Sequence, residues 1–182
     1  MAWYPFALGV ELLDVGVARG GRPVVAGASM RANPGEAVQL FGANGSGKSS
    51  LLQAIAGLTP LAAGRLVWRV DAGAPQPHAP AGALVYVGHD APVKPALTAR
   101  ENLRYWAAWY AKAPRDVAEV IDRMGLAAIA DAPVVRFSAG QRRRLDLARC
   151  LLARRPFWLM DEPTGAGEPA RAALWGREGW RE

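Results

Sequence analysis

The chain has 182 residues, 51% of them apolar, a formal net charge of +6 and one cysteine. That length suits one domain, or one domain carrying a subdomain, with a sizeable apolar core. No run of about eighteen apolar residues is present to span a membrane, and a lone Cys150 excludes an internal disulfide and suits a reducing compartment.

Met1 to Val10 is apolar but lacks a basic leader and a small-residue cleavage site before Glu11. It reads as the approach to a strand, not as a signal peptide. Leu8 to Val17 and Pro23 to Arg31 read as strands, joined by the turn Arg19-Gly20-Gly21-Arg22. Asn33-Pro34-Gly35 is a second turn. Ala37 to Phe41 is a short β-prone run that leads into Gly42-Ala43-Asn44-Gly45-Ser46-Gly47-Lys48-Ser49. This is a complete phosphate loop, G-x-x-x-x-G-K-[ST]. Its glycines let backbone N–H groups curl around a β-phosphate, Lys48 reaches the β/γ-phosphates, and the Ser49 hydroxyl faces Mg²⁺. A helix from Ser49 to Gly57, carrying Ser50 beside Ser49, turns its positive dipole end toward the same phosphates. The residues predict a bound nucleoside triphosphate with Mg²⁺.

Leu58-Thr59-Pro60 closes that helix, and Gly64 to Val70 is a further strand. Asp71 to Gly82, with three prolines and His78, is an exposed loop. Ala83 to Val87 is a strand of the buried type. Thr98 and Glu101 form a capping box. The helix they open runs to about Ala111, with Leu103, Trp106, Ala107 and Tyr110 as its apolar stripe. Arg115 to Met124 is a second helix, stopped at Gly125. Ser138 and Gln141 form another capping box, opening a helix that turns Leu145, Ala148, Leu151 and Leu152 inward. The same helix region gathers Arg142, Arg143, Arg144, Arg149, Arg154 and Arg155. No aromatic residues are interleaved there as a base-stacking surface requires, so a solvated face is expected and no nucleic acid partner. Pro156 to Met160 is an apolar strand ending in Asp161 and Glu162. Asp161 is placed to hold Mg²⁺, and Glu162 to orient the attacking water. The layout is α/β: a mixed sheet around the phosphate loop, with a helical insertion at about residues 91–150.

The order of phosphate loop, Ser138-Ala139-Gly140-Gln141, basic helix and Phe157-Trp158-Leu159-Met160-Asp161-Glu162-Pro163 resembles the ATP-binding subunit of ABC transporters. The resemblance implies a P-loop NTPase of the ABC ATPase type, a single domain with a helical subdomain. It implies that Ser138, Gly140 and Gln141 form the signature segment that meets the γ-phosphate bound by a second copy. Two chains then sandwich two ATPs. A capped helix start with a glycine backbone is a reasonable anion site; a plain N-cap is the other reading. An ABC-type DNA-repair ATPase shares the signature but carries a long arm between the halves, for which the insertion here is too short.

Val87-Gly88-His89-Asp90 and Lys94 to Leu103 are similar to the haem-exporter subgroup that serves cytochrome c biogenesis. Most family members carry glutamine where His89 stands. The resemblance implies a place for His89 near Mg²⁺ and the γ-phosphate; a plain strand-end histidine is the alternative. It also implies that Arg19 stacks its guanidinium on adenine, against the alternative of a surface turn. The subgroup works on the cytoplasmic face of the bacterial inner membrane, bound to a membrane-spanning subunit. Docking is then expected around Pro92 to Tyr110. The transported species is handled by partners, so no direct haem ligation is expected.

The match weakens after Thr164. Gly165-Ala166-Gly167-Glu168 stands where the family carries a Leu-Asp pair, and no histidine follows His89 to serve as the family's γ-phosphate contact. The tail 165–182 reads as divergent or truncated. This leaves open an ATP-binding module with impaired hydrolysis.

Overall fold

The computed structural model describes residues 7–71, 73–88, 92–110 and 117–161, together with the backbone of 171–175. They fall into two compact units, one of residues 1–88 with 155–182, the other of residues 89–154.

The first unit opens with β1 (Leu8–Arg19) and β2 (Arg22–Ala32), an antiparallel pair. Leu8, Val10 and Leu12 are buried at even positions, then Val15 and Val17 at odd ones. A one-residue slip in a strand turns every side chain to the other face. The chain makes that slip at Asp14, whose φ is 49° and where the register shifts between Leu12 and Val15. Ser29 Oγ steadies the irregularity by accepting from the Asp14 N–H at 3.0 Å. Both halves of β1 therefore face one core despite the change of phase. β3 (Ala37–Phe41) feeds the phosphate loop and α1 (Lys48–Ile55) follows it. β4 (Ala63–Val70) pairs with the far edge of β1, giving the order β2-β1-β4. The 71–82 loop is largely exposed, as its prolines suggest, though Trp68 and Gln76 exchange two backbone hydrogen bonds of 2.7 and 2.8 Å.

β5 (Leu84–Val87) and β6 (Phe157–Asp161) pair in parallel. β7 (Arg171–Trp175) lies antiparallel between β6 and β3, so the second sheet runs β3-β7-β6-β5. The sequence assigns no element to this stretch, since two alanines give it little strand preference. Pairing decides instead: β7 supplies ladder partners to β3 on one side and to β6 on the other. The core of the unit joins Leu12, Val17, Leu52, Ile55, Trp68 and Phe157, so α1 packs against residues of both sheets. The Trp68 and Phe157 rings meet edge to face, 5.2 Å between centroids.

The second unit holds α2 (Ala99–Trp109), α3 (Val117–Arg123), two short 3-10 turns (Ala127–Ile129 and Val134–Arg136) and α4 (Ala139–Ala153). Leu103, Val120, Ile121, Leu126, Phe137 and Leu145 are buried. Of the α2 stripe, Leu103 is fully buried, while Trp106, Ala107 and Tyr110 are half-buried. Leu145, Ala148, Leu151 and Leu152 of α4 are all buried. Asp146 is buried too, 3.3 Å from Arg143 and 3.2 Å from Arg149 of its own helix. Burial holds its carboxyl above the usual aspartate range, and the two guanidinium groups pull it back down. The Arg149 guanidinium lies over the Trp106 ring of α2 at 5.0 Å. Among the described residues no helix is long and apolar enough to cross a membrane.

Candidate active site

β3 ends at Phe41 and the chain turns at once into the glycine loop. Ser46 N–H donates to the Ala43 carbonyl at 3.2 Å, closing the turn. Gly45 and Gly47 take φ of +80° and +92°, values that L side chains resist. Gly47 caps α1 with no side-chain hydrogen bond, and the first turn carries no acidic residue. The leading N–H groups of α1 are thus left to whatever anion sits before them. Lys48 Nζ folds back over the loop and donates to the carbonyls of Gly42 and Ala43, each at 2.8 Å, and to Ser46 Oγ at 3.5 Å.

A cavity of about 260 Å³ opens here. Asn44, Gly45 and Gly47 line it from the loop, Lys48, Ser49 and Ser50 from the start of α1, and Asp161 from the end of β6, with Val24 as an apolar wall. Residues separated by more than half the chain thus share one small site. A hydroxyl from Ser49 and a carboxylate from Asp161 are hard oxygen donors. A magnesium ion takes one or two such groups and keeps phosphate and water for its other positions. Among the described residues no cluster of three or more His, Cys, Asp or Glu builds an all-protein metal cage. The donor set fits an ion that arrives with a phosphate ligand.

Arg19, at the end of β1, sends its guanidinium to α1. Nε donates to Ser50 Oγ at 3.5 Å and Nη2 donates to Gln53 Oε1. Gln53 Nε2 donates to the Tyr86 hydroxyl of β5 at 3.5 Å, and that hydroxyl bonds the Asp161 carboxylate. Burial raises the Tyr86 phenol above its ordinary value, and the Asp161 charge pushes the same way. Gln53 and Tyr86 are absent from the sequence reading. Their signal is a polar residue inside an apolar run: Gln53 among the buried Leu51, Leu52, Ala54 and Ile55, Tyr86 between the buried Val85 and Val87.

Ser138, Gly140 and Gln141 stand at the start of α4, in the second unit. The reciprocal cap is formed: Gln141 N–H donates to Ser138 Oγ at 3.2 Å and Ser138 N–H to Gln141 Oε1 at 2.8 Å. Ser138 and Gly140 are exposed, and a Cβ on Gly140 would meet nothing within 4 Å. His89 and Glu162 lie outside the described residues.

Known proteins resemble this chain over most of its length. The ABC transporter family profile matches residues 25–165. A protein of Paramagnetospirillum magneticum named cytochrome c biogenesis ATP-binding export protein CcmA is 47% identical over 156 residues, 84% of this chain and 72% of its own length. A protein of the same name from Rhodopseudomonas palustris is 45% identical over 160 residues, 87% of this chain and 78% of its own. The solved structure of a Pyrococcus furiosus protein, described as an ABC transporter ATP-binding protein, superposes with a TM-score of 0.70 at 21% identity. It covers 88% of this chain and 78% of that one, and it speaks for the fold alone. The chain belongs to the ABC transporter ATP-binding family, among relatives of the cytochrome c biogenesis export proteins.

Proposed function

We propose that this chain is the ATP-binding and ATP-hydrolysing subunit of a transporter that serves cytochrome c biogenesis and powers haem export or release of a haem chaperone. It acts at the cytoplasmic side of the inner membrane, held there by a membrane-spanning subunit. The observation that carries the reading is the shared cavity: loop, Lys48, Ser49 and Asp161 converge on one space of about 260 Å³, in a chain that bears the signature segment between them.

In this reading the loop N–H groups and Lys48 hold the β- and γ-phosphates. Ser49 and Asp161 hold Mg²⁺, which, when bound, neutralises charge on the phosphate oxygens. Glu162 orients a water for in-line attack on the γ-phosphorus and draws off its proton; the bond to the bridging oxygen breaks and ADP leaves. Ser138 and Gly140 of a second copy contribute donors to the transferring group, where one such contact is worth about 10² to 10³ in rate. His89 adds a further donor at the γ-phosphate. Arg19 has its edges engaged by Ser50 and Gln53, which leaves a planar face for adenine.

A second reading, slow turnover after normal binding, is favoured by one feature: Gly167 and Glu168 stand where the family carries Leu-Asp. Steady-state turnover of the wild-type chain beside Glu162→Gln separates the two readings. The biological role is tested by expression in a bacterium deprived of its own export subunit. Peroxidase staining of c-type cytochromes is expected to return with the wild-type chain and not with Lys48→Ala. No return with a well-expressed wild-type chain counts against the transport role.

A further inference from the structure

The polar chain beneath the phosphate loop runs in one direction, and its direction follows from donor chemistry. An arginine has five N–H donors and no acceptor. Gln53 must therefore turn its oxygen to Arg19, which leaves its NH₂ facing Tyr86. The Tyr86 oxygen accepts from that NH₂, so its single proton is available to the Asp161 carboxylate that it bonds. Asp161 is buried at 4% exposure, where a carboxylate without a fixed donor is costly.

We propose that Tyr86 is a positioning residue for Asp161. Through the chain Arg19–Gln53–Tyr86 it fixes the carboxylate in the orientation that takes the nucleotide's divalent cation. The proposal rests on the reading of this cavity as a magnesium-nucleotide site, and it adds residues from α1 and β5 to that site. The starting point, Arg19, also touches Ser50, which lines the cavity. One chain of contacts thus links the β1–β2 turn, the loop helix and the metal carboxylate.

Tyr86→Phe removes the hydroxyl and keeps the ring. ATP affinity is measured by calorimetry with Mg²⁺ and again in EDTA, and Mn²⁺ binding by its electron paramagnetic resonance signal. Affinity in EDTA depends on the loop and Lys48, and it is expected to be unchanged. The gain conferred by Mg²⁺ is expected to fall about tenfold, the usual scale for a hydrogen bond to a charged group, and Mn²⁺ affinity is expected to fall with it. Gln53→Met is expected to act in the same direction and less strongly. The double variant is expected to be no worse than Tyr86→Phe, because the residues act in series. The proposal is overturned if Tyr86→Phe leaves the Mg²⁺ gain within about twofold of wild type. It is equally overturned if affinity in EDTA falls as far as affinity in Mg²⁺, since the hydroxyl then serves the fold or the nucleotide and not the metal. A wild-type chain that binds ATP equally with Mg²⁺ and with EDTA removes the magnesium site itself, and this role with it.

Discussion

Gly47 passes so close to Val24 that a Cβ built on it would stand 2.6 Å from the Val24 carbonyl oxygen. The obstacle is backbone of β2 and cannot swing away as a side chain does. The φ of +92° at Gly47 adds torsional strain. Gly45 differs: its φ is +80°, yet a Cβ there would meet nothing within 4 Å. Gly47→Ala is therefore expected to push the loop off β2 and weaken ATP binding more than about thirtyfold, beyond the roughly 1–2 kcal/mol that torsion alone costs. Gly45→Ala should pay the torsion only. Calorimetry on both variants checks the order; equal losses would show that contact with Val24 is unimportant.

The capping box of α2 makes the second unit sensitive to acid. Glu101 Oε2 accepts from the Thr98 backbone N–H at 2.8 Å and from its hydroxyl at 2.9 Å. The backbone bond first, then the hydroxyl, holds the Glu101 carboxyl below the usual glutamate range. A carboxylate with a lowered folded pKa stabilises the protein fully above its unfolded value. That contribution disappears as the pH falls through the folded value. Wild type and Glu101→Gln should therefore differ in thermal midpoint above about pH 4.3 and converge below it. A constant gap across the acid range would place the effect outside the ionised carboxylate. Thr98→Ala removes the other half of the box and should cost about 1 kcal/mol.

Much of this site was legible in the sequence because its chemistry is local. A phosphate loop needs consecutive glycines and a lysine, so Gly42 to Ser49 announces itself, and so do the boxes at Thr98 and Ser138. The apolar strand that ends in Asp161 is likewise a local pattern, and only its arrival at the loop is a matter of folding. What stayed hidden depends on partners distant in the chain. β7 is set by its ladder partners β3 and β6 and not by its own residues. The phase change at Asp14 is visible as Leu12 giving way to Val15, yet its purpose appears only when both halves face one core. The link from Arg19 through Gln53 and Tyr86 to Asp161 joins four elements, and no spacing in the sequence encodes it.

The two sheets of the first unit meet at Trp68 and Phe157, both almost fully buried. Phe157→Ala leaves a cavity beside Trp68 and is expected to cost about 3–5 kcal/mol, read from denaturant midpoints at unchanged slope. Trp158, next along β6, is half-buried and bonded through Nε1 to the Arg155 carbonyl at 2.9 Å. Its replacement by phenylalanine should cost far less. Similar losses at the two positions would contradict a core centred on Phe157.

The central claim is that the loop, Lys48 and Asp161 form one ATP site. Titration of the wild-type chain and of Lys48→Ala with ATP and Mg²⁺ in a calorimeter tests it most directly. Wild type is expected to bind one nucleotide per chain. Lys48→Ala, which loses a charge-assisted phosphate contact, is expected to bind at least about tenfold more weakly, with a thermal midpoint that shows the fold intact. Equal affinity in the two proteins would contradict the account.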